Sequence, residues 1–125
     1  MTDPYNDIVR ELFAETRHVA AASESGRKQF SAHGGRRVDG GEVLFTASIA
    51  DDNSVQIGFR AWGCPHLIAA CEYCCRKLDG QPAPALLSIS RDELMETLAV
   101  PVEKTGIMIL IEDTMGALAA RVGAR

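Results

Sequence analysis

Near the start of the chain, apolar residues recur at three- and four-residue spacing. Ile8, Val9, Leu12 and Phe13 form one stripe, Asp3 is placed to cap a helix, and Pro4 suits its first turn. This predicts a first helix over about 4–16. The stripe decays through Ala20-Ala21-Ala22-Ser23-Glu24-Ser25-Gly26. A glycine-rich stretch over about 31–41 follows, with Gly34-Gly35 and Gly40-Gly41, and reads as a mobile loop. It is no phosphate loop, because the Gly-Lys-Ser/Thr ending is missing. Two β-rich runs come next, Val43 to Ala50 and Val55 to Trp62, joined by the turn Asp51-Asp52-Asn53-Ser54. They predict an antiparallel hairpin over about 43–62, with a third strand near Lys28–Ala32.

From Cys64 the period becomes helical. Pro65 suits a first turn, and Leu67, Cys71, Cys74, Cys75 and Leu78 share a face until Gly80. Ser90-Arg91-Asp92-Glu93 is a capping-box signature for a short helix through Leu94, Met95 and Leu98, ending before Pro101. A last helix carries Ile107, Leu110, Ile111, Met115, Leu118 and Val122, with Gly123 as its stop. The helical part thus runs over about 65–122. The expected fold is α+β: a small antiparallel sheet of about three strands with helices on one face, in a single domain over 1–125.

Composition narrows the function classes. Thirteen Lys+Arg against seventeen Asp+Glu give a formal charge of −4, the wrong sign for gripping nucleic acid by its phosphates. No apolar run approaches the roughly 20 residues of a membrane span. The acidic, polar start has no signal-peptide pattern, so a cytoplasmic protein is expected.

Cys64, Cys71, Cys74 and Cys75 crowd into one short stretch, unlike a disulfide framework that closes distant loops. Cys64 stands apart, because it falls where a strand ends and a helix begins. The helix dipole and unpaired N–H groups there favour a thiolate, the form that ligates metals and attacks sulfur. A cysteine that merely caps the helix is the plain alternative. Cys71-Glu72-Tyr73-Cys74 has redox-pair spacing, but Cys71 lies two helical turns inside. It is also roughly 10 Å along the axis from Cys64, too far to share one ion. These three thiols read as core fillers. His66 lies one turn from Cys64. His33 sits in the glycine stretch, where it could fold over Cys64 or be solvated, and His18 reads as a surface or capping side chain. Asp39 and Glu42 could supply hard oxygen ligands, with solvated carboxylates the default. No Ser/His/Asp constellation or paired acid–base arrangement stands out.

The run Gly58-Phe59-Arg60-Ala61-Trp62-Gly63-Cys64-Pro65-His66-Leu67-Ile68-Ala69-Ala70-Cys71, followed by Leu78-Asp79-Gly80, resembles the iron–sulfur cluster assembly scaffolds of the IscU type, also called the N-terminal domain of NifU. Ser90-Arg91-Asp92-Glu93-Leu94, Val100-Pro101-Val102-Glu103-Lys104 and Ile109-Leu110-Ile111-Glu112-Asp113 continue the likeness, and Tyr5, Val9, Phe13, Arg17 and His18-Val19 echo it in the first helix. The likeness covers nearly the whole chain and implies an IscU/SufE-like fold without enzymatic activity. It also implies three cysteine ligands for a cluster, assisted by an aspartate and sometimes a histidine. Here the first cysteine position falls on Gly40 of Gly40-Gly41-Glu42, and the His-Cys pair that opens the last helix falls on Gly106-Ile107. Only Cys64 keeps its thiol. The chaperone-docking motif corresponds to Val100, Pro101, Val102, Glu103 and Lys104, with one proline lost and an acid beside the lysine.

The resemblance therefore implies a divergent scaffold-like protein of cluster biogenesis or sulfur transfer, with a cysteine desulfurase as partner and Cys64 as the remaining functional thiol. Cys64 would take a persulfide, or iron, zinc or a transient cluster, with His66, His33 and Glu42 standing in for the missing ligands. The alternative is a cluster-free interaction protein of the same fold that binds and regulates a desulfurase or another partner. A homodimer is compatible with either.

Overall fold

The computed structural model describes residues 7–14 and 28–123. Asp3, Pro4, Tyr5, Arg17, His18, Val19 and the stretch 20–26 lie outside the described residues, as does the side chain of Phe13. The elements are α1 (Asp7–Ala14), β1 (Lys28–Arg36), β2 (Gly41–Ile49), β3 (Val55–Trp62), α2 (Pro65–Leu78), α3 (Arg91–Thr97) and α4 (Thr105–Val122). Short 3₁₀ turns occupy Arg37–Asp39, Ala83–Ser88 and Val102–Lys104.

The three strands form one antiparallel sheet in the order β1-β2-β3. Its register sets Phe30 opposite Ala47 and Phe45 opposite Phe59. Strand alternation decides the layers. Val43, Phe45 and Ala47 of β2 are fully buried, while Glu42, Leu44, Thr46 and Ser48 between them are only partly covered. Helices therefore cover one face: α4 lies on β1 and β2, α2 packs on β3, and α1 packs on α2. The hairpin turn is held by Asp52, whose Oδ1 accepts from the Ser54 N–H at 3.0 Å and the Ser54 hydroxyl at 2.7 Å.

The buried face of α2 carries Leu67, Ala70, Cys71, Cys74, Cys75 and Leu78, and α4 answers with Met108, Ile111, Met115 and Leu118. Glu72 is also fully buried in α2, and Arg76 one turn on donates to its Oε2 at 2.8 Å. The capping box forms as its residues require: Ser90 Oγ accepts from the Glu93 N–H at 3.2 Å. Glu93 then ties α3 to α2 by accepting from the Tyr73 hydroxyl and from Lys77 Nζ at 2.7 Å.

The stretch 31–41 corrects the expectation of a mobile loop. Residues 28–36 pair along β2 as a full edge strand, and the chain reverses through Arg37–Asp39 and Gly40, whose φ is +98°. The glycines of β1 serve close packing. A Cβ added at Gly34 would lie 2.0 Å from Thr114 Oγ1, so α4 approaches the sheet to a distance that only glycine permits.

Candidate functional site

Cys64 directly follows the strand end Trp62-Gly63 and takes the N-cap position of α2, with Pro65 in the first turn. Its carbonyl accepts from the Leu67 and Ile68 N–H groups at 3.0 and 3.2 Å, while its thiol makes no capping bond. The residue is partly buried. Gly63 has φ +156°, and a Cβ there would sit 3.1 Å from Leu67 Cδ1 and 3.3 Å from the Gly40 carbonyl oxygen. Gly63 thus lets the backbone before Cys64 lie close to both the Leu67 side chain and the Gly40 carbonyl. The other thiols are fully enclosed. Burial pushes those of Cys71 and Cys75 well above their ordinary value and that of Cys74 up to about 12. They are packing groups, and Cys64 is the one thiol of the four that the core does not fully enclose.

The other candidate ligands fall in two separate places, His33 and Glu42 on the sheet and His66 on α2. His33 and Glu42 meet across β1 and β2, with Nε2 to Oε2 at 2.8 Å, and Arg37 donates to the second carboxylate oxygen at 3.2 Å. Both partners hold the Glu42 carboxyl below its ordinary value, His33 more than Arg37. The Arg37 guanidinium in turn lies 5.8 Å from the centre of the Trp62 ring. His66 points the other way. Its ring is fully buried, and Lys104 Nζ lies 3.2 Å from its Nδ1. Burial, reinforced by the Lys104 charge, lowers its pKa, so the imidazole is kept neutral and accepts from the ammonium. Among the described residues, no three His, Cys, Asp or Glu side chains gather in a metal-holding group. The structure thus brings His33 to Glu42 and His66 to Lys104.

Of the positions that the resemblance marked, Gly106 and Ile107 line a cleft, together with Gly41 next to Gly40. The cleft, of about 390 Å³, is lined by Gly35, Asp39, Gly41, Glu103, Gly106, Ile107 and Leu110. One wall is the β1–β2 turn that contains Gly40-Gly41, and the other is the first turn of α4 with Gly106-Ile107. Behind the first wall, a Cβ on Gly41 would lie 2.7 Å from the same Leu67 Cδ1 that backs Gly63. The segment Val100–Lys104 borders this region. Val100 is buried and Lys104 turns inward to His66, while Val102 and Glu103 are exposed. The pairing of Lys104 with His66 left no trace in the sequence, because 38 positions separate the two residues.

The family of NifU-like N terminal domains matches residues 4–122. The chain belongs to that family. A comparison with curated proteins finds no match. Among solved structures, the NifU-like fold is shared with a protein of Fervidobacterium islandicum named as an iron–sulfur cluster assembly scaffold for the SUF system. That match has a TM-score of 0.62 at 10% identity and covers 93% of this chain and 96% of the other. The N-terminal part of a nitrogen-fixing NifU-like protein of Brucella abortus superposes with a TM-score of 0.53 at 18% identity, covering 94% of this chain and 81% of that one. Both show the NifU-like architecture that the cleft is built on. No helix among the described residues is long and apolar enough to cross a membrane.

Proposed function

We propose that this NifU-like protein works in iron–sulfur cluster biogenesis as a one-thiol sulfur carrier, with Cys64 as the working group and a cysteine desulfurase as the donor. The observation that carries this reading is the contrast among four thiols: three are sealed in the core, while Cys64 stands partly buried at a helix start, next to Gly63 whose backbone lies close to the Gly40 carbonyl. The donor set does not fit a cluster. Where the family supplies thiols, this chain has Gly40 and Ile107, and a thiolate-bound cluster usually needs four ligands. Iron or zinc through Cys64, His66, His33 and Glu42 would require His33 and His66 to leave their present partners.

Sulfur transfer asks only for one reachable thiolate. Cys64 attacks the terminal sulfur of a donor cysteine persulfide, the sulfur–sulfur bond of the donor breaks, and its thiolate departs. Cys64 is left as the persulfide, with no net oxidation. The protein acts as carrier and not as catalyst, in a cytoplasmic setting that keeps thiols reduced.

The lost ligands also favour a second reading, a cluster-free partner that binds a desulfurase and regulates it. One experiment separates the two. The chain is incubated with a cysteine desulfurase and cysteine, and its intact mass is measured before and after reduction. A reducible gain of one sulfur atom, absent in Cys64→Ser, supports the carrier. A complex with the desulfurase that changes its turnover without sulfur uptake supports the regulator.

A further inference from the structure

One short turn holds both residues that precede Cys64. It runs over Arg37–Asp39 and closes through the Gly40 N–H, which donates to the Arg37 carbonyl at 3.0 Å. Arg36 braces it, its Nε donating to Asp39 Oδ2 at 3.0 Å. At the start of the turn, the Arg37 guanidinium lies 5.8 Å from the centre of the Trp62 ring. At its end, the Gly40 carbonyl oxygen comes so near Gly63 that a Cβ there would lie 3.3 Å away. Trp62 and Gly63 lead directly into Cys64 at the N-cap of α2. The guanidinium is itself anchored. Glu42 stands opposite Trp62 in the β2–β3 register. Its Oε1 accepts from Arg37 Nε at 3.2 Å, while His33 Nε2 lies 2.8 Å from its Oε2. An ordered series of contacts thus crosses the three strands, from His33 through Glu42 and Arg37 to Trp62.

We propose that Arg37 is a positioning residue for Cys64: with Trp62 and Glu42 it forms a clasp that fixes the strand end before the thiol and keeps Cys64 partly buried at rest. This rests on the reading of Cys64 as the sulfur carrier and adds a control on when that thiol engages a donor. Exchange at sulfur requires the attacking thiolate to line up with the donor's sulfur–sulfur bond. A partly buried cysteine on a fixed strand end reaches that alignment only when the strand end shifts. Gly63, between the clasp and the thiol, has the backbone freedom for such a shift. The clasp has a suitable strength. A cation–π contact at an exposed site is weak enough to open thermally and strong enough to bias access several-fold. Trp62 is 46% exposed and the Arg37 side chain 68%, so both can be replaced without opening the core.

The test is the rate at which neutral iodoacetamide alkylates Cys64 in the full chain, read by peptide mass mapping. A neutral reagent keeps the attraction of Arg37 for anions out of the result. Arg37→Ala is expected to speed the reaction about two- to fivefold, the size of one exposed cation–π contact. Trp62 is the one tryptophan of the chain, so its fluorescence reports the clasp directly, and acrylamide should quench it more strongly in Arg37→Ala. Trp62→Leu should give the same gain in rate, and the double variant no more than either single one. Glu42→Gln, which loosens the anchor of the guanidinium, should gain in the same direction. The proposal is overturned by an unchanged or lower rate in Arg37→Ala, by unchanged quenching of Trp62, or by additive gains in the double variant. Labelling of Cys71, Cys74 and Cys75 along with Cys64 in Arg37→Ala overturns it as well, because the whole fold would then have loosened. The assay contains no desulfurase, so the two readings fail separately. Faster alkylation in a chain that takes up no sulfur keeps the clasp and removes the carrier role. Sulfur uptake at Cys64 with an unchanged alkylation rate in Arg37→Ala keeps the carrier and removes the clasp.

Discussion

Replacing Gly34 with alanine tests the contact that sets the distance between the sheet and α4. The new Cβ would lie 2.0 Å from Thr114 Oγ1, 3.0 Å from Leu110 Cδ1 and 3.3 Å from Thr114 Cβ. The first of these is a deep overlap. Thr114 is buried, and its hydroxyl donates to the Leu110 carbonyl at 2.7 Å, so it has little room to yield. Relief requires α4 to lift from β1, and overpacking of this kind costs about 1–3 kcal/mol, the upper end applying to so short a contact. Gly34 is not at positive φ, so alanine also restricts the unfolded chain and returns about 0.4–1 kcal/mol. The net expectation is a destabilisation of about 2 kcal/mol, or roughly 5–10 °C in the unfolding midpoint of a domain this size. Chemical denaturation of the single variants and of Gly34→Ala/Thr114→Ala gives the coupling directly. Removing the threonine hydroxyl should recover about half or more of the loss. An alanine variant as stable as wild type, or additive behaviour in the double variant, would refute the close-approach account. It would return residues 31–41 to the status of a yielding loop.

Limited alkylation at neutral pH should label Cys64 first, read by peptide mass mapping; labelling of Cys71, Cys74 or Cys75 ahead of it would contradict their burial. Cys71→Ser should lower stability by about 1–3 kcal/mol in a denaturant titration, because a hydroxyl enters an apolar site. The lowered pKa of His66 means the unfolded chain binds the extra proton first. Stability from this group is therefore present above its ordinary value near 6.5 and lost as pH falls toward the folded value, and the slope should vanish in His66→Phe. Anaerobic reconstitution with iron and sulfide should give no stoichiometric cluster absorbance on the wild-type monomer, whereas Gly40→Cys/Ile107→Cys should gain it. That double variant should also be less stable by about 1–2 kcal/mol, because position 40 has φ +98°.

Local patterns with one physical meaning were readable without the fold. The alternation in 55–62 gave β3 to the residue, the Ser90 capping box gave the start of α3, and the aromatic-Gly-Cys run placed Cys64 at the strand–helix junction. Each depends on neighbours a few positions away. The family likeness rests on the same kind of local run, carried along most of the chain. Glycine was ambiguous, since its missing Cβ serves a mobile loop and a close approach equally well. Only the position of Thr114, some eighty residues further on, makes Gly34 a packing residue. The candidate ligands have the same history. The sequence placed Cys64, His66, His33 and Glu42 near one another along the chain and across one hairpin. Which face each side chain takes depends on strand register and helix docking, and those send His66 inward to Lys104 and leave His33 outside with Glu42. The cleft is tertiary altogether. Asp39 and Glu103 stand on turns far apart in sequence, and only the laying of α4 across β1 and β2 brings them to one cleft.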